Sequence, residues 1–378
     1  MIYLDHNATT PLAPQAREAV IRALDQLGNP SSVHEPGRLA RNLLDEARRQ
    51  VAALVNVHAR NVIFTSGGTE ANNLVLRGVA ARHGKGRILV SAVEHSAVLG
   101  PARDLAAAGF SVELLPVDEE GRVQPAAVAE RLGPDVILVS VMAANNETGA
   151  LQDVAEISRL VRAAGAVMHT DAAQYAGKLP LDFAATGAHL MSLSAHKLNG
   201  PKGIGAVITD GSIDLVPQIS GGGQESGWRS GTENLPGITG FGAAAALALQ
   251  ELEERRLRLA ALRDRLEAGL AARPGITIFS RGAERLPNTV QFALAGMTGE
   301  TLQMGLDRLG IAVSTGSACH SQSTEPSHVL LAMGVAPEVA RGAVRASLGL
   351  GNTESDVDAL LAALDKVASV LPVGAAAW

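Results

Sequence analysis

The feature that most narrows what this chain can fold into is an alternation. Short β-rich apolar runs are separated by Ala/Leu/Arg-rich segments of helical pattern. Asn61–Thr65, Arg87–Ser91, Ser111–Leu115, Asp135–Val141 and Ala166–Thr170 read as buried strands, and two more apolar runs follow at His189–Ser194 and Ile204–Ile208. Helical patterns lie between them, for example at Ala71–Arg82 and Asp153–Ala164. Repeated β–α alternation predicts an α/β fold with a mostly parallel sheet covered by helices on both faces. Ligands in such sheets bind outside the carboxyl ends of the strands. Several runs here end in polar clusters: SGGTE after Thr65, EHS after Val93, NNETG after Ala144, DAAQ after Thr170 and SAHK after Leu193. An active site is expected there.

A long helix is predicted from about Thr239 to Ala272, ended by Pro274–Gly275. Strands at Thr277–Ser280 and Thr289–Ala293, a helix near Glu300–Leu309, a strand at Ala343–Leu348 and a helix over Glu354–Leu371 follow. With 378 residues the chain is long enough for two domains. The expected division is a large domain over 14–255 and a smaller α+β domain formed by 1–13 and 256–378.

Composition removes other classes. The net charge is −6, from 32 basic and 38 acidic residues, with no dense Lys/Arg block, which argues against nucleic acid as the main partner. The N-terminus has no basic segment followed by an apolar run, and the longest apolar stretch, Phe241–Leu249, is too short to span a bilayer. No signal peptide, no membrane partner and a cytoplasmic location are expected. The single cysteine allows no intrachain disulfide.

The strand-end clusters carry the chemistry. Lys197, just past a buried run and beside Ser194 and His196, is a candidate Schiff-base lysine; on the tetrapeptide alone a surface lysine is the commoner reading. Asp171 ends the preceding run, where a carboxylate can pair with a pyridinium nitrogen or simply cap the next helix. Gln174 is within reach of a ring hydroxyl. Gly68 and Thr69, in a Gly-rich strand–helix turn, suit a phosphate, because glycines allow close backbone approach and the helix start offers N–H groups. A lone histidine at a strand end is more often structural than catalytic, but His95 falls on the same sheet edge as the other candidates, where it can stack on a cofactor ring. Cys319 sits in the small, polar stretch Ser314–Thr324 rather than in an apolar run, as suits a nucleophilic thiol. No metal site is assigned.

Taken together, these residues resemble the cysteine desulfurases of the class V aminotransferase group. The resemblance spans nearly the whole chain: YLDHNATT (3–10), SGGTEANN (66–73), EHSAV (94–98), NNETG (145–149), HTDAAQ (169–174), SAHKLNGPKGIG (194–205), RSGTEN (229–234), GSAC (316–319), EPSHVL (325–330) and VRASLG (344–349). It implies the PLP-dependent transferase fold of type I, with a seven-stranded sheet in the large domain and the cysteine loop in the small one. It implies pyridoxal 5′-phosphate (PLP) on Lys197, Asp171 at the pyridine nitrogen, Gln174 at the ring hydroxyl and His95 stacked on the ring. Thr69, Ser194 and His196 match phosphate ligands, and Thr232 matches the phosphate contact given by the second subunit of a homodimer. Asn146 matches an asparagine near cofactor and substrate, and Arg345 the guanidinium that grips the substrate carboxylate.

The implied activity is removal of sulfur from L-cysteine, giving L-alanine and a Cys319 persulfide for a sulfur-acceptor protein such as an iron–sulfur scaffold. Lys197 and His95 are the implied proton carriers. The tail LPVGAAAW (371–378) does not match the one with which housekeeping members engage that scaffold, so the acceptor stays open. Selenocysteine lyase, another PLP β-lyase or aminotransferase of the same fold, and a non-enzymatic scaffold are the competing readings.

Overall fold

The structure, a computed structural model, describes residues 1–315 and 325–369. Its strands are β1 (Ile2–Tyr3), β2 (Val62–Thr65), β3 (Arg87–Ser91), β4 (Ser111–Leu115), β5 (Val136–Ser140), β6 (Val167–Asp171), β7 (Leu190–Ser194), β8 (Gly205–Thr209), β9 (Ile276–Ile278), β10 (Thr289–Leu294), β11 (Ile311–Ala312), β12 (Ser314–Thr315) and β13 (Ala343–Ser347). Seven of them form one sheet in the order β2-β8-β7-β6-β5-β3-β4. It is α/β and mostly parallel, as predicted; only β8 runs against its neighbours. That reversal brings Gly205, at the start of β8, beside both Thr65 and Ser194 at the ends of β2 and β7. A Cβ on Gly205 would stand 2.6 Å from the backbone of Gly67, so the glycine lets β8 close up to the turn after β2.

The inner strands are largely apolar because both sheet faces are covered, whereas the edge strand β4 carries Glu113 and leaves Leu114 exposed. Alternate residues enter two different cores: Leu89 packs on one face, and Ile88 and Val90 on the other. The first core also takes Ala16, Leu44 and Phe241 from helices Pro14–Leu24, Glu35–Leu54 and Leu235–Gln250, and the second takes Leu74 and Val98 from helices Gly68–His83 and Ser96–Ala107. A four-stranded antiparallel sheet, β12-β13-β10-β9, packs on a separate core with Leu266, Leu306 and Leu360. β1 pairs in parallel with β11, so the N-terminus joins this second unit.

The long helix predicted over 239–272 is two helices, Leu235–Gln250 and Leu252–Ala271, broken at Glu251 (φ −101°, ψ 7°). The reason is packing: Phe241, Ala245 and Ala248 belong to the first core, whereas Leu259, Leu262 and Leu266 belong to the core of the small sheet. Among the described residues no helix is long and apolar enough to cross a membrane.

Candidate active site

Strand ends β2, β3, β5, β6 and β7 converge with β13 on a cleft of about 590 Å³. Gly68, Thr69, His95, Asn146, Asp171, Gln174, Ser194, His196, Lys197 and Arg345 all line it. Each is delivered by a local device. Gly68 opens helix Gly68–His83, and a Cβ there would lie 3.3 Å from Ser194 Cβ, so the missing side chain leaves room between two strand ends. His95 caps helix Ser96–Ala107, its Nδ1 accepting from Ala97 N at 3.1 Å. That bond leaves Nε2 as the protonated nitrogen of the neutral ring. Burial, the largest cause, pushes the proton affinity of His95 down; Asp171 pulls it up, while Lys197, His328 and Arg345 push it further down.

Asp171 holds the turn after β6 and lines the cleft. Its Oδ1 accepts from Ala173 N at 2.9 Å, and its Oδ2 accepts from Asn72 Nδ2 at 2.7 Å. The expectation that Asp171 caps the next helix is not met: the chain after it forms turns, and the next helix, Phe183–Thr186, is capped by Asp182. Lys197 ends a short turn after β7, and its Nζ donates to the backbone oxygens of Asn7 at 2.5 Å and Ala8 at 2.8 Å. His196 Nδ1 lies 3.1 Å from Thr9 Oγ1; burial, then Lys197, Lys202 and His95, lower its pKa to about 4. Arg345 donates Nη2 to Asp5 Oδ1 at 2.6 Å and Nη1 to Asn146 O at 2.9 Å, while its buried Nε has no partner.

Two expected residues are not in this group. Thr232 is exposed on the stretch before helix Leu235–Gln250 and does not line the cleft. Cys319 lies outside the described residues. Conversely, Asn7, Ala8, Thr9, Asn72 and Lys202 line the cleft without having been assigned a role. For the first three a signal existed: the polar run DHNATT directly follows a very short apolar strand.

The arrangement fits a PLP-sized ligand. The N–H groups at the start of helix Gly68–His83 and the Ser194 hydroxyl suit a phosphate. Asp171 suits a protonated ring nitrogen, Lys197 an aldehyde, and the Arg345 guanidinium a substrate carboxylate.

Known proteins point the same way. Residues 2–360 match the family described as Aminotransferase class-V. The chain is 42% identical over 370 residues to the cysteine desulfurase IscS of Dictyoglomus turgidum, covering 97% of this chain and 94% of that one. It is 45% identical over 383 residues to a cysteine desulfurase of Cereibacter sphaeroides, covering 99% and 98%. A solved structure described as a NifS-like protein superposes with a TM-score of 0.92 at 38% identity, covering 98% of this chain and all of the other.

Proposed function

Because the chain belongs to the class-V aminotransferase family and is a cysteine desulfurase, we propose that it uses PLP carried by Lys197 to move the sulfur of L-cysteine onto Cys319. The observation that carries this reading is the meeting of Lys197, Asp171 and Arg345 in one cleft, although they come from the turn after β7, the end of β6 and the middle of β13.

PLP, when bound, supplies an electron sink for the pair left at the substrate Cα. The chain supplies everything else. Arg345 holds the substrate carboxylate, and Asn146, whose backbone oxygen accepts from its Nη1, flanks that position. Asp171 stabilises positive charge on the ring nitrogen, and Gln174 serves the ring hydroxyl. Lys197 takes the Cα proton as a general base. His95, kept neutral by burial, carries protons between solvent and substrate while packing on the ring. The Cys319 thiolate attacks the substrate sulfur. The C–S bond breaks as the S–S bond forms, the carbon fragment is protonated and leaves as L-alanine, and Cys319 keeps a persulfide. That sulfur passes to an acceptor protein, an iron–sulfur scaffold being one class that fits.

The reading extends to assembly. Thr232, exposed and away from its own cleft, is read as serving the cleft of a second copy in a homodimer. Leu24, Leu27 and Val33, 67%, 80% and 89% exposed, are apolar surface of the kind such an interface would cover. The separate cores support a large domain over 14–255 and a small one formed by 1–13 and 256–378.

Borohydride treatment of the yellow protein tests the anchor. Peptide mapping is expected to find the reduced cofactor on Lys197. An adduct on Lys202, which lines the same cleft, refutes the assignment. Keto acid in place of alanine as the product of L-cysteine would move the reading to an aminotransferase.

A further inference from the structure

Lys178 is a buried cation outside the set of residues assigned above. It follows Gln174 in the turn after β6, and it is 7% exposed, against 5% for Gln174 and 1% for Asn7. Its Nζ donates to Gln174 Oε1 at 2.7 Å and to Asn7 Oδ1 at 3.1 Å. Gln174 in turn donates Nε2 to the backbone oxygen of Asn7 at 2.9 Å. That same oxygen accepts from Lys197 Nζ.

Asn7 is held on its other sides as well. Its N–H donates to Ser347 Oγ at 2.9 Å, its Nδ2 to Thr289 Oγ1 at 2.8 Å and to Asn146 O at 3.1 Å, and its Oδ1 also accepts from Asn288 Nδ2 at 3.1 Å.

A carboxamide can present either its oxygen or its NH₂ group to a given neighbour. Lys178 removes that choice for Gln174. An ammonium only donates, so it pairs with Oε1 and turns the NH₂ group the other way. A flipped Gln174 would set NH₂ against the Lys178 amine and carbonyl against carbonyl at Asn7, leaving buried groups unsatisfied. The placement has a cost, because burial, with Lys197 and Arg345 nearby, drives the proton affinity of Lys178 well down. Charged or neutral, the amine still has protons for both acceptors.

We propose that Lys178 is a positioning residue for the cofactor site: it locks the Gln174 carboxamide with its NH₂ group toward the cleft and steadies the Asn7 carbonyl on which Lys197 rests. The inference rests on the reading that PLP binds at Lys197, with Gln174 serving the ring hydroxyl.

The test compares holoenzymes of wild type, Lys178→Met, Gln174→Leu and the double variant, without cysteine. The readouts are the visible absorption of bound cofactor across pH and cofactor retention on dialysis. Lys178→Met is expected to move the band in the direction that Gln174→Leu moves it. It is also expected to weaken retention by roughly tenfold, the effect of about one good hydrogen bond. In the double variant it should add much less than it does alone, because its hold on Gln174 is already gone and only its contact with Asn7 remains. A Lys178→Met holoenzyme that matches wild type, or effects that sum in the double variant, overturns the proposal. A wild-type protein with no visible band overturns the cofactor reading instead. If Lys178→Met fails to fold, isotope labelling of glutamine in wild-type holoenzyme decides: slowly exchanging Gln174 amide protons are expected, and fast exchange overturns the proposal.

Discussion

Arg345, at the centre of β13, is tied to Asp5, 340 positions away in sequence, by an Nη2–Oδ1 contact of 2.6 Å. The pair is largely buried, with the arginine side chain 6% and the aspartate 20% exposed. The segment that follows β1 thus lies beside β13, where Asp5 also bridges to Ser347, and the carboxylate orients the guanidinium that lines the cleft. Arg345→Lys keeps a charge but loses the planar fork. It is expected to raise KM for cysteine by roughly 10- to 100-fold, the loss of a charged bidentate contact, with the cofactor spectrum unchanged. Asp5→Ala should also raise KM and lower stability by about 1.5–3 kcal/mol. Steady-state kinetics and chemical denaturation measure both; a wild-type KM in Arg345→Lys contradicts the assignment.

Cys319 is the only sulfur nucleophile in the chain. Cys319→Ala is expected to retain PLP and respond spectrally to L-cysteine, yet release almost no alanine or sulfide. Serine should not rescue it, since a neutral hydroxyl is a far weaker nucleophile toward sulfur than a thiolate. In wild type, a cysteine pulse without reductant should add one sulfur to Cys319, removable by dithiothreitol. Wild-type turnover by the alanine variant would rule out the proposed sulfur transfer to Cys319.

His169 is fully buried behind Asp171, its ring nitrogens 2.9 Å from Ser140 Oγ and 3.0 Å from Ser192 Oγ. Burial, opposed by Asp171, lowers its pKa to about 4. A folded-state pKa below the unfolded value means that unfolding takes up a proton between the two. Its contribution is complete above about pH 6.5 and lost as pH falls toward 4, with a slope of at most about 1.4 kcal/mol per pH unit. The stability of wild type relative to His169→Gln should therefore be constant above neutrality and decline on acidification through that window. Denaturant titrations at several pH values check the sign; a pH-independent difference contradicts it.

The apolar surface of Leu24, Leu27 and Val33 bears on assembly. Leu24→Glu is expected to shift the protein toward monomer in light scattering and, by removing the Thr232 donated across the interface, to loosen cofactor retention. Thr232→Ala should loosen retention while leaving the dimer intact. A fully active wild-type monomer at assay concentration would refute the shared-site assignment.

The sequence by itself determined whatever local pattern encodes. Arg87–Ser91 and Ser111–Leu115 are strands to the residue; the first is an apolar stretch covered on both faces, whereas the second is the edge strand, with Leu114 exposed. The polar residues that end such runs, among them Asp171 and Lys197, line one cleft because parallel strands share a carboxyl edge. Tertiary structure alone decided the rest. The break at Glu251 arises because the two halves of one helical pattern bury into different cores, which periodicity cannot register. Asn7, Asn72 and Lys178 owe their importance to hydrogen bonds with residues elsewhere in the chain, some brought together only when the segment after β1 docks beside β13. A short-range pattern carries no record of such partners, because a hydrogen bond depends on where two groups end up in space and not on what surrounds either of them in sequence.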